Sequence, residues 1–139
     1  MDETARVELC NRLLAEITAP WVRELGLRAV HASEREVELD APVSSALVHG
    51  GGVVCGQALM AMADTAMVLA LSSSLGEFRP MTTVQLQTSF LKPVPGTAQS
   101  VRIRATVLRR GKSLAFGEIA MLSPDGSLAA HATTTYALL

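Results

Sequence analysis

A chain of 139 residues is the usual size of one domain and can bury about two-thirds of the surface its unfolded form exposes. Its net charge of −1, sequence pI of about 6.3 and 4% aromatic content remove the electrostatic and stacking grounds for binding nucleic acid or an anionic membrane surface. Two cysteines, Cys10 and Cys55, are too few for a disulfide framework, and neither stands at metal-ligand spacing from a histidine.

Residues 5–19 place Val7, Leu13, Leu14 and Ile17 near one helical face with charges elsewhere, which predicts a short amphipathic helix ended by Pro20. The preceding Met1-Asp2-Glu3-Thr4 is acidic and lacks an apolar run, so it does not resemble a secretory signal, and a reducing, cytoplasmic setting is expected. From Leu25 to Asp40 the pattern predicts two short strands, with Leu27, Val30, Val37 and Leu39 apolar and Glu34, Glu36 and Glu38 on a solvated face. Pro42 to Gly52 contains Pro, two Ser and three consecutive Gly and reads as a loop.

A long helix follows, expected to start near Gly52 or Val53 and to end at Leu75-Gly76, where glycine makes a natural cap. Its 19-residue stretch Val53 to Leu71 is long enough to span a bilayer. Asp64 would then sit near the bilayer centre at a cost of about 2.5–3.5 kcal/mol, and flanking basic anchors are missing. A helix apolar on nearly all sides is more economically the core of a soluble domain.

The rest of the chain is strand-like. Thr82 to Leu91 alternates Val84, Leu86, Thr88 and Phe90 against Thr83, Gln85, Gln87 and Ser89. Gln99 to Leu108 alternates Val101, Ile103, Ala105 and Val107 against Arg102, Arg104 and Thr106. Turns at 92–96, 109–112 and 124–126 separate these from strands at Ser113–Leu122 and Leu128–Leu138. Strands joined by short turns favour an antiparallel sheet and an α+β fold, here a sheet wrapped around one central helix in a single domain over residues 1–139. The 49% hydrophobic content is high for a small monomer and suggests apolar surface buried between subunits.

Asp64 stands out within that helix, between Met60-Ala61-Met62-Ala63 and Thr65-Ala66-Met67-Val68. A buried carboxylate is costly unless it is paired or useful. Either it makes a salt bridge or meets a solvated notch, or it faces a cavity and does chemistry; no Arg or Lys on the helix is there to pair with it. Gln57, two turns earlier, lies almost on the same stripe. Gly50, Gly51, Gly52 and Gly56 would let another molecule approach the unpaired N–H groups of the first turn, where a developing oxyanion can be held.

The segment Gly52-Val53-Val54-Cys55-Gly56-Gln57-Ala58-Leu59-Met60-Ala61-Met62-Ala63-Asp64-Thr65-Ala66 resembles the signature helix of PaaI-like hotdog thioesterases, in the 4-hydroxybenzoyl-CoA thioesterase superfamily. That signature is His-Gly-Gly, six mostly apolar residues, then Asp or Glu, often followed by Thr-Ala. The resemblance continues through Phe90-Leu91-Lys92-Pro93 and Gly111-Lys112-Ser113-Leu114-Ala115-Phe116, and covers roughly residues 25–138. Cys55 stands where the family has His, and Gln57 replaces the second Gly.

The resemblance implies a hotdog fold and hydrolysis of acyl-CoA thioesters, with Asp64 as general base or nucleophile and the Gly56 N–H polarising the carbonyl. His49 falls where the family usually has Asn or Gln, so His49 and Gln57 are expected to share the polar work of the missing His and Asn. Thr65 and Thr83 are expected beside the substrate, and Thr83 falls near a Ser or Thr that some members supply. Arg109, Arg110 and Lys112 either form a solvated turn or contact the phosphates of coenzyme A, which is part of the substrate; no separate cofactor is expected. The resemblance further implies sites shared across a homodimer, commonly paired into a homotetramer, with Asp64 coming from the partner subunit. Met60, Met62, Met67 and Leu59 are expected to offer an adaptable lining for an apolar or aromatic acyl group. Cys55, His31 and His131 are expected to be structural. Two other readings stay open: a hotdog enoyl-CoA hydratase or dehydratase, and a non-catalytic acyl-CoA-binding protein.

Overall fold

A helix with almost no polar flank has to be enclosed. In the computed structural model, which describes residues 1–139, a six-stranded antiparallel sheet encloses it. The elements run α1 (Glu3–Glu16), α2 (Pro20–Arg23), β1 (Arg28–Ala32), β2 (Glu36–Pro42), α3 (Gly56–Leu75), β3 (Met81–Phe90), β4 (Ser100–Arg110), β5 (Leu114–Leu122) and β6 (Leu128–Leu138). The strand order is β1-β2-β4-β5-β6-β3, so β3 is an edge strand although it comes third in sequence. This is the sheet around a central helix that the strand and helix pattern predicts, and the hotdog architecture that the resemblance implies.

Alternation builds the core. Val101, Ile103 and Ala105 of β4, Val37 and Leu39 of β2, and Ile119 and Met121 of β5 are fully buried beneath α3. The intervening Arg102 and Arg104 point outward and clasp Glu38 of β2, at 3.2 and 3.1 Å. Partial burial works to raise the Glu38 carboxyl, but hydrogen bonds from Arg104 and Arg102 outweigh it and leave the group below its usual range.

α3 comes close to the sheet because its inward side is rich in Ala. Met67 passes over Gly117 of β5, where an added Cβ would lie 2.3 Å from the Met67 methyl and 2.8 Å from the Thr106 carbonyl oxygen. One stripe of α3 escapes the sheet: Gln57, Met60, Ala61, Asp64 and Val68 all keep some exposure. Arg6 of α1 donates to the Ser73 carbonyl near the C-terminal end of α3, a favourable place for a cation. Cys10 is buried between the two helices, and burial pushes its thiol up to about 11. α3 is long and apolar enough to cross a membrane, yet it is the core helix here.

One boundary and two inward faces differ from the sequence reading. α3 starts at Gly56 rather than at Gly52 or Val53, because Gly52 adopts φ +81° and Val53 bridges Pro95. α1 buries Arg6, Leu9, Cys10, Leu13 and Leu14, so its inward face is rotated from the predicted one and Ile17 is left at its exposed end. In β1 a register shift between Ala29 and His31 turns Ala29 and Ala32 inward instead of Val30.

Candidate active site

The start of α3 is shaped by the loop before it. The Gly52 N–H donates to the His49 carbonyl at 2.9 Å, and the His49 N–H donates to the Val53 carbonyl at 3.1 Å. This small turn sets His49 beside the helix start, where its Nδ1 accepts from the Gly51 N–H at 2.9 Å. Cys55 is the N-cap residue and supplies no side-chain cap to the first turn. Gly56 leaves room for the Phe90 ring: a Cβ there would lie 3.1 Å from it, so the ring would have to shift. His49, Gly56, Leu59, Phe90 and Lys92 line one cleft of about 400 Å³.

Asp64 lies eight residues along α3 from Gly56, roughly 12 Å along the axis, and opens into another cleft. Ile17, Val22, Thr65, Val68, Phe78 and Met81 surround it there, in a volume of about 240 Å³. Its carboxylate makes no ion pair, which removes the buried salt bridge as its reason for being there. Two hydroxyls hold it instead. Thr83 Oγ1 donates to Asp64 Oδ1 at 2.9 Å, and the Tyr136 hydroxyl donates to the same Oδ1 and lies 3.0 Å from the Asp64 carbonyl oxygen. Strand register brings the two donors together, since Thr83 of β3 pairs directly with Tyr136 of β6.

Tyr136 is 2% exposed. Burial, and then the neighbouring Asp64 carboxylate and its hydrogen bond, raise the phenol far above its ordinary range and keep it a donor. Thr65, next to Asp64, turns its hydroxyl back onto the Ala61 carbonyl at 2.8 Å while lining the Asp64 cleft.

The expected site residues therefore divide. Asp64, Thr65 and Thr83 come together, as do Gly56 and His49, but within one chain the two groups do not meet. Gln57 is exposed in a third cleft with Trp21, Glu24 and Cys55, so it does not share a cleft with His49 in one chain. Arg109, Arg110 and Lys112 are exposed at the β4–β5 turn without ion pairs. Arg110 stands in the cross-strand row Arg110, Ala115, Tyr136, Thr83, three strand spacings or ~14 Å from Thr83. Met62 and Met67 are fully buried and line neither cleft; the apolar lining at Asp64 comes from Ile17 just after α1, Val22 of α2, Val68 and Leu69 of α3, Phe78, and Met81 at the start of β3. His31 and His131 meet Glu3 and Glu118 at 2.9 and 3.3 Å, as structural residues would.

The sequence reading missed Tyr136 and Lys92. Counting by twos back from Leu138 turns Tyr136 inward with Thr134 and Ala132, and a buried phenol needs a hydrogen-bond partner. That signal was present. Lys92 gave none, because only the folded β3 end sets it beside Gly56.

The hotdog architecture, with a carboxylate halfway along its central helix, defines the class. The chain belongs to the thioesterase superfamily, which it matches over residues 51–130. Among its relatives, a Thermoplasma acidophilum protein named "Putative esterase Ta0293" is 27% identical over 84% of this chain and 86% of its own length. A single-residue variant of the phenylacetic acid degradation protein PaaI from Thermus thermophilus is 25% identical, with a TM-score of 0.76 over 87% of this chain and 100% of that one. The PaaI protein of E. coli shares the fold at 16% identity, with a TM-score of 0.83 over 99% of this chain and 95% of that one. The protein is thus a PaaI-like hotdog member of the superfamily, and membership supports thioester hydrolysis as its general chemistry.

Proposed function

We propose that this protein hydrolyses acyl-CoA thioesters to a free acid and CoA, with Asp64 as the reacting group. The observation that carries the proposal is the state of that carboxylate: neutral hydroxyls hold it, no cation quenches it, and it borders an apolar cleft. Asp64 takes a proton from water as the water oxygen bonds to the thioester carbon. The carbonyl electron pair moves onto oxygen, where the N–H of Gly56 meets it. Collapse breaks the C–S bond, and the thiolate leaves and recovers the proton from Asp64. Direct attack by Asp64 would give an anhydride that water opens, and it needs the same free carboxylate oxygen.

Within one chain Gly56 and Asp64 open into different clefts, so the working site joins Asp64 of one copy to Gly56 and His49 of a second. The unpaired edge of β3 and the open stripe of α3 are the surfaces available for that pairing, giving a homodimer or a dimer of dimers. His49 then positions water or substrate, while Gln57 sits on the α3 stripe. Arg109, Arg110 and Lys112 supply charge for the CoA phosphates, and Thr65 lines the acyl cleft. A volume of about 240 Å³ bounded by Ile17, Val22, Phe78 and Met81 suits a short or aromatic acyl group.

The test is thiol release by the purified protein from acetyl-, hexanoyl-, palmitoyl- and benzoyl-CoA. Wild type should release thiol from at least one of them. Asp64→Asn should lower turnover by roughly 10²-fold or more with the oligomer intact. Near-native turnover by that variant, or binding without thiol release by wild type, would sink the proposal. Hydration of an enoyl-CoA without thiol release would point to the hydratase reading instead.

A further inference from the structure

We propose that Tyr136 is the positioning residue of the Asp64 carboxylate: its hydroxyl pins Oδ1 so that Oδ2 alone is presented for reaction. The inference rests on the hydrolytic reading above and goes beyond it by naming which oxygen acts and what holds it there. Three geometric facts converge. Oδ1 accepts from both Tyr136 and Thr83, whereas Oδ2 accepts no hydrogen bond from its own chain. The Tyr136 hydroxyl lies within reach of the backbone oxygen and the side chain of the same residue, so it ties the carboxylate to its own turn of α3. Tyr136 is itself immobilised, buried at the inner face of β6 between paired strands β5 and β3.

A carboxylate on a short side chain rotates readily about its terminal bond, and half of its orientations would turn a given oxygen away from the cleft. A doubly satisfied Oδ1 stops that rotation. Neutral donors also leave the negative charge in place, whereas an arginine would hold the group equally well and quench it. The two donors differ in exposure. Tyr136 has no access to water, so nothing replaces its bond when it is lost, while exposed Thr83 can be replaced by solvent.

Tyr136→Phe keeps the buried ring and removes only the hydroxyl. On the best substrate of the four acyl-CoAs, it should lower kcat by about 10- to 100-fold while KM stays within about twofold. Thr83→Val should lower kcat by less, and Thr83→Ser should restore it. A Tyr136→Phe enzyme with near-native kcat, or one whose loss lies in KM, overturns the proposal while leaving the role of Asp64 standing.

A second measurement needs no turnover. Tyr136 is the only tyrosine in the chain, so the tyrosine Fermi doublet in the Raman spectrum reports on this hydroxyl alone. Wild type should show the intensity ratio of a strong donor to an anion, and Asp64→Asn should shift it towards a weaker donor. An identical doublet in the two proteins overturns the anchoring. If none of the four thioesters is hydrolysed by wild type, the hydrolytic reading fails, and with it the reacting role of Oδ2; a shifted doublet then upholds the anchoring of Oδ1.

Discussion

At the scale of single residues, the proposed chemistry turns on how a carboxylate is kept inside a helix that offers it no cation. Ion pairing would stabilise the charge and spend it. The hydroxyls of Tyr136 and Thr83 stabilise it and leave it available. The same scale separates two neighbours at the helix start. His49 lines the cleft that contains Gly56, whereas Cys55 opens on the other side with Trp21 and Gln57. His49→Ala should therefore reduce kcat/KM by about tenfold or more, and Cys55→Ser should leave it within about twofold. Steady-state thiol release decides it, and the reverse order would transfer the positioning role to Cys55. Asp64 was legible from its apolar surroundings and Thr83 from the family resemblance, but that Thr83 and Tyr136 together hold the carboxylate was not, because they lie 19 and 72 residues from it in sequence.

At the scale of elements, the sheet and α3 fit by exchanging small residues for large ones. Gly117 leaves room for Met67, and the Ala-rich side of α3 lies flat on β2, β4 and β5. Gly117→Ala should push Met67 off its seat and destabilise the fold by about 1–3 kcal/mol, read from equilibrium urea unfolding. An unchanged midpoint would mean that Met67 re-packs freely. Period-two alternation placed β4, β5 and β6 within one or two residues, and the Gly76 cap fixed the end of α3. The start of α3 was misplaced because an apolar Val53-Val54 reads the same whether it bridges a neighbouring strand or begins a helix. β1 was misread because a register shift, with Val30 as the extra residue opposite Leu39 and Glu38 of β2, reverses which side chains face inward.

At the scale of the whole molecule, the fold leaves an edge that a soluble monomer would normally blunt. β3 pairs with β6 along one edge only, and its other edge is open over the ten residues of the strand, with Val84 60% and Phe90 53% exposed. Together with the open α3 stripe carrying Asp64, it is the surface on which the proposed pairing with a second copy would form. Val84→Asp should weaken assembly by setting charge on that edge, shift the protein to monomer in sedimentation, and lower thiol release in parallel. A variant that is monomeric yet fully active would show that one chain suffices.

The sequence by itself determined the fold class, the buried helix, the acid within it and the family, because hydrophobic period, caps and a contiguous signature are local properties. Only the tertiary structure decided what that acid meets. Strand register set Tyr136 beside Thr83, the residues after α1 and Val22 of α2 walled the cleft, and the separation of Gly56 from Asp64 along one rigid helix opened them into different clefts. Contacts of that kind depend on which strands pair and on how far apart two points of a helix lie, and neither is written in any short stretch of chain.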